Sequence, residues 1–280
     1  MTLRIDAHQH FWKYNPTDYI WMTEEMDVLR RDLLPEDLKP LLEKAGLDAT
    51  VAVQARQMTK ETAWLLELAE RFDFILGVVG WVEFASDALE EQLERYSEHP
   101  KLKGVRELIH EMPDVEYALS EAHVRAISLL SRFGLTYDLL LKPPHIEPAT
   151  RLVDRFPEQP FVVDHIAKPV IREGVMTPWE ADIRALAQRP NVYCKLSGMV
   201  TECDWQRWTP EQIQPYLDVV LDAFGTDRVM IGSDWPVCTL AGEYVPVMRV
   251  VIDYVAALST DEQERILGGN CARFYGLAKE

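Results

Sequence analysis

Short apolar runs rich in β-branched residues alternate along the chain with longer stretches whose apolar positions keep helical spacing. The strand-like runs cover residues 3–10, 50–54, 75–81, 102–106, 135–141, 161–165, 191–197 and 228–234. Runs this uniformly apolar suit strands buried on both faces, as in a parallel sheet. Helices are predicted between them, over 35–46, 60–72, 88–96, 115–133, 148–156, 178–187, 210–224, 245–258 and 260–267. In 60–72, for example, Trp64, Leu65, Leu68, Ala69 and Phe72 share one face. Pro35 falls in a first turn, and Gly46, Gly134 and Gly225 fall just past helix ends, where each residue type is at home. Eight strand-helix units in steady alternation predict an α/β fold, a closed (β/α)8 TIM barrel, with residues 1–280 as one domain. An open doubly wound sheet is the competing arrangement. It lacks support because no Gly-x-Gly-x-x-Gly turn follows the first strand.

Composition narrows the partners more than the fold. A chain of 280 residues with 48% hydrophobic residues and eight Trp can bury a large core, so it is globular. A net charge of −17 argues against nucleic acid and anionic membranes, which demand basic surfaces. It leaves room for an anionic small substrate, since a few local Arg and Lys decide that. Cys194, Cys203, Cys238 and Cys271 are scattered with no C-x-x-C pair, as expected of reduced thiols in a cytoplasmic enzyme. Asp6 and the histidines interrupt any apolar leader, and no apolar run is long enough to span a bilayer. The expected partner is a small molecule, with self-association left open.

In such a barrel, chemistry sits at the carboxyl ends of the strands. Residues two apart on a strand point to one side, so His8 and His10 aim two imidazoles at one place. Other strand ends carry Gln54, Arg106, His165, Lys195 with Ser197, and Asp234 followed by Trp235. Singly, each has a structural explanation: Asp234 as a helix cap, His165 as a turn residue, Arg106 as a salt-bridge partner of Glu107 or Glu111. Jointly, His8, His10, His165 and Asp234 make a mononuclear site for a divalent metal, with room for a water. The metal would lower that water's pKa to about 7, and Asp234 could accept its proton as general base. Arg106, Lys195 and Lys168 are candidates for holding a carboxylate or hydroxyls, or for stabilising an oxyanion. The loop after the first strand carries Trp12, Tyr14 and Trp21, which suit stacking on a ring.

The run Asp6-Ala7-His8-Gln9-His10-Phe11-Trp12 resembles the opening of the amidohydrolase superfamily, in its amidohydrolase-2 branch. Further matches are Lys103 to Arg106, Tyr137-Asp138, Asp164-His165 with Lys168-Pro169, Asn191 to Gly198, Gly232 to Val237, and Asn270 with Phe274-Tyr275. The resemblance therefore runs through nearly the whole chain. It is closest to the fuconolactonase-like and rhamnonolactonase-like sugar lactonases and to muconolactone-type lactonases. It implies a TIM barrel in which water opens a lactone ring. It places His8, His10, His165 and Asp234 on metal and catalytic positions, beside which Arg106 and Lys195, from their strand ends, are expected to be catalytic. Trp12, Tyr14, Trp21, Gln54, Lys168 and Trp235 would contact substrate. One metal is implied, zinc first, although some lactonases of the branch work without one. Residues 136–141 do not supply the bridging lysine of binuclear members, with Lys142 close by. Ile166-Ala167 replaces a glycine that relatives often carry before Lys168-Pro169. Two other readings remain: a metal-dependent decarboxylase of an aromatic acid, and a non-catalytic binding protein on the same scaffold.

Overall fold

The computed structural model describes residues 3–277. Eight strands form one parallel sheet in sequential order: β1 (Ile5–Gln9), β2 (Ala49–Val53), β3 (Ile75–Gly80), β4 (Leu102–Glu107), β5 (Thr136–Leu139), β6 (Phe161–Val163), β7 (Val192–Leu196) and β8 (Val229–Ile231). The seam between β8 and β1 is closed just beyond the strands. Asp234 donates its backbone N–H to the His8 carbonyl at 2.8 Å, His10 donates to the Trp235 carbonyl at 2.6 Å, and Gln9 bridges Trp235. Asp6 fastens the same seam, accepting the Ser233 N–H at 2.8 Å and the Tyr244 hydroxyl at 2.9 Å. The barrel is thus held shut by the stretches around Asp6 and Asp234, which also carry the candidate chemistry.

Among the described residues, ten α-helices surround the sheet: α1 (Pro35–Ala45), α2 (Thr59–Arg71), α3 (Leu89–Ser97), α4 (Glu121–Leu130), α5 (Ile146–Arg155), α6 (Trp179–Ala187), α7 (Pro210–Phe224), α8 (Tyr244–Val255), α9 (Thr260–Glu264) and α10 (Asn270–Phe274). Among the described residues, no helix is long and apolar enough to cross a membrane. Several boundaries depart from the periodicity: α8 and α9 end at Val255 and Glu264, short of the predicted 258 and 267, and β5 and β8 are shorter than the apolar runs that predict them. The predicted helix over 115–133 is broken at Ser120, whose side chain caps α4 by accepting the His123 N–H and whose backbone is extended. Helix α5 begins two residues before Pro148, because a first turn has free N–H positions and tolerates proline there. Helix α10 lies beyond the predicted end at 267.

Two apolar shells divide the core. Ile5, Ala7, Val51, Val53, Val79, Val162 and Met230 fill the barrel, and Cys271, Phe274 and Tyr275 join them from α10 and the residue after it, closing the floor. The larger shell lies between sheet and helices. Chain entry and floor meet at Gly268. A Cβ there would stand 1.8 Å from the Leu3 carbonyl oxygen and 3.1 Å from Arg4 Cα, both backbone. Gly268→Ala is therefore expected to cost about 3 kcal/mol, read as a lower urea midpoint at unchanged m-value.

Candidate active site at the carboxyl ends of the strands

His8, the last residue but one of β1, points into the barrel, and His10 follows just beyond the strand. Their Nε2 atoms lie 3.3 Å apart. Asp234 Oδ1 sits 3.2 Å from His10 Nε2, 3.7 Å from His165 Nε2 and 3.9 Å from His8 Nε2. The far nitrogens are all engaged. His10 Nδ1 donates to the Val53 carbonyl at 2.8 Å. His165 Nδ1 is hydrogen-bonded to Ser197 Oγ at 2.9 Å. His8 Nδ1 faces Asp164 Oδ1 at 3.2 Å. Each ring is thereby oriented with Nε2 toward the Asp234 carboxylate, the arrangement found around metal-bound histidines. Burial pushes the pKa values of His8 and His165 well below the usual histidine value, so both are neutral and keep a lone pair. Burial also raises the Asp234 carboxyl, but the polar groups facing it, His165 and His10 foremost and Lys168 after them, outweigh burial and hold it at about 2. His8, His10 and Asp234 lie close enough together to hold one divalent cation, and His165 Nε2 stands 3.7 Å from the same carboxylate oxygen.

The backbone here is strained. His165, Ile166, Ala167 and Lys168 have φ of 54°, 48°, 60° and 48°, a full left-handed turn without glycine, and Asp234 has φ of 58°. Each such residue costs about 1–2 kcal/mol. The turn is held by Lys168 N–H donating to the His165 carbonyl at 2.8 Å and Trp179 Nε1 donating to the Ile166 carbonyl at 2.7 Å. It presents His165 and Lys168 to the same cavity. Gly198, at φ 65°, leaves space for the His165 ring, since a Cβ there would lie 2.6 Å from its Cγ and Nδ1. Gly198→Ala is expected to displace His165 and lower kcat/KM about 10²-fold while the fold persists by circular dichroism.

A cavity of about 230 Å³ opens over this cluster. His10, His165 and Asp234 form its inner end, Trp12 and Trp21 one wall, and Arg106 and Lys168 line it as cations. Arg106 Nη1 lies 2.9 Å from Asp164 Oδ2 and 3.3 Å from His8 Nε2. Its Nη2 donates to the Gln54 carbonyl, so Gln54 steadies Arg106 from behind the cavity. Lys168 Nζ is paired with Glu202 at 2.8 Å.

The structure does not place every expected contact residue on this cavity. Tyr14 lies away from it, its hydroxyl accepting from Arg30 Nε at 2.9 Å. Trp235 is buried edge-on against Phe11. Lys195, expected to be catalytic, is not among the residues lining the cavity: it is wholly buried inside the barrel, 2.6 Å from Asp138 Oδ2 and 3.0 Å from Asp164 Oδ1. Asp138 and Asp164 were missed as site supports. Their signal was a charge inside an otherwise buried apolar strand, which demands a partner. His110 and Glu111 also line the cavity, on a single 3₁₀ turn with no periodic signature to mark them.

The family model described as "Amidohydrolase" matches residues 5–277. The chain belongs to the amidohydrolase family. It is 40% identical over 286 residues to an L-fucono-1,5-lactonase of Burkholderia multivorans, covering 98% of this chain and 96% of that protein. An L-fucono-1,5-lactonase of Burkholderia ambifaria is 36% identical, covering 99% and 97%. A crystal structure of a Burkholderia multivorans amidohydrolase with bound zinc is 39% identical, with a TM-score of 0.95 and coverage of 99% and 100%.

Proposed function

We propose that this amidohydrolase opens the ring of a sugar-derived lactone, with aldonolactones of the L-fucono-1,5-lactone type first among its substrates. The observation that carries this is the Asp234 carboxylate, held ionised among three oriented imidazoles at the inner end of a small cavity. Likeness to the two fuconolactonases over nearly full length supports the substrate class. A space of about 230 Å³ admits a single sugar ring.

His8, His10, His165 and Asp234 would hold one divalent cation, zinc first. When bound, it would act as a Lewis acid and lower the pKa of an attacking water to about 7. Asp234 takes the proton of that water as its oxygen adds to the lactone carbonyl. Arg106 and Lys168 donate to the carbonyl oxygen and nearby hydroxyls, where negative charge grows. The ring C–O bond then breaks, and Asp234 returns its proton to the departing alkoxide, leaving a hydroxy acid. Trp12 and Trp21 cover the ring face, and His110 and Glu111 offer further polar contacts to hydroxyls.

A panel of aldonolactones in weak buffer with a pH indicator tests this, alongside metal analysis of the same protein. Acid release from one stereochemical series is the expected result. Removal of metal by a chelator should lower the rate by about tenfold or more, with recovery on adding zinc. Silence across the panel, with carbon dioxide released from an aromatic acid instead, would replace this reading with the decarboxylase.

A further inference from the structure

Phe274 ends α10 and Tyr275 follows it, and the pair plugs the barrel floor, on the opposite side from the cavity. Tyr275 does more than fill space. Its hydroxyl donates to Asp138 Oδ2 at 2.8 Å. The same oxygen receives Lys195 Nζ at 2.6 Å. Lys195 continues to Asp164 Oδ1 at 3.0 Å and stands 3.2 Å from His8 Nδ1. Asp164 completes the line to His8 Nδ1 at 3.2 Å and to Arg106 Nη1 at 2.9 Å. Asp138, Asp164, Lys195 and His8 are fully buried, and Tyr275 is 3% exposed. A continuous chain of polar contacts thus runs from the floor to a residue of the metal cluster.

Charge and hydrogen-bond accounting decide what the chain does. Two carboxylates, Asp138 and Asp164, face two cations, Lys195 and Arg106, so this buried set is balanced. Asp164 Oδ1, in ion-pair range of Lys195 and His8, makes no hydrogen bond among the described residues, and neither does Asp138 Oδ1. The hydrogen bonds of Asp138 therefore fall on Oδ2, shared between Tyr275 and Lys195. The Tyr275 ring also lies 5.5 Å from Lys195 Nζ, in cation–π range. Without the hydroxyl, Lys195 would be the donor left to Asp138. Asp138 would then lose one of the two donors that fix its carboxylate, and Lys195 the fixed partner that sets its distance from Asp164 and His8.

We infer that Tyr275 is a positioning residue for the metal cluster, holding Lys195, through Asp138, at the height where Asp164 can orient His8. This rests on the reading of His8, His10, His165 and Asp234 as a metal site. Groups that orient a ligand from behind change metal affinity and activity by about 10–100-fold, and Tyr275 acts at the far end of such a line, so the lower figure applies.

The test compares Tyr275→Phe with Phe274→Leu, a packing change in the same plug. The zinc dissociation constant is measured by competition with a chromophoric chelator, and kcat and KM on the best lactone. Tyr275→Phe should weaken zinc about tenfold and lower kcat at near-constant KM. Phe274→Leu should lower the thermal midpoint and leave zinc affinity alone. Parental zinc affinity and kcat in Tyr275→Phe would overturn the inference, as would an equal loss of affinity in Phe274→Leu. Should Tyr275→Phe not fold, Asp138→Asn probes the other end of the same hydrogen bond, and unchanged zinc affinity there has the same force. A parental protein that binds no divalent cation removes the metal reading itself, and this inference with it. A metal-binding parent with an unaffected Tyr275→Phe removes this inference alone.

Discussion

Asp234→Asn should abolish turnover, with kcat down about 10³-fold or more, in a protein that stays folded. The magnitude is that of a lost proton-transfer group. The carboxylate is ionised down to about 2, so it is a base at every pH where the protein works. An amide keeps the shape of the carboxylate but cannot take a proton. Asparagine also tolerates the φ of 58° at this position better than other residues. Backbone strain therefore does not confuse the result as it would with alanine. The seam contact survives as well, because Asp234 closes the barrel through its backbone N–H. Steady-state rates set beside circular dichroism and the thermal midpoint decide the matter. A folded variant with parental kcat would remove Asp234 from the chemistry.

Lys195→Met should be the most destabilising single change in the barrel, at about 3–5 kcal/mol. The cost comes from what is left behind. Asp138 and Asp164 stay fully buried with Arg106 as the remaining cation, and an uncompensated buried carboxylate is expensive. Burial alone would lower the lysine's pKa, yet the two carboxylates win and raise it, so its charge is present in the native state. The mirror of this is Asp138, which burial pushes up to about 6 although Lys195 and Tyr275 pull it down. Neutralising that acid in a Lys195→Met, Asp138→Asn double variant should recover part of the loss, since it restores the balance of charge. Urea unfolding of the single and double variants measures the coupling. Equal stability of Lys195→Met and the parent would mean that the pair contributes no more than an apolar isostere.

The local pattern of the chain carried the architecture. Parallel strands buried on both faces must be apolar and β-branched, and helices packed on them must show a stripe, so eight alternating units were legible without any tertiary information. The spacing of His8 and His10 was equally local, because a strand puts alternate residues on one side. What the pattern could not reach was set by partners distant in the chain. The break at Ser120 depended on a cap winning over continued helix. Lys195 looked like a catalytic cation because it ends an apolar strand. Only the fold brings Asp138 and Asp164 within 2.6 and 3.0 Å and seals it from the cavity. His110 and Glu111 reach the cavity from a turn whose place depends on where β4 and β5 end. Periodicity records which face of an element is buried. Which polar groups meet inside the barrel is decided by closure of the sheet, which joins residues more than two hundred positions apart at the Asp6–Asp234 seam.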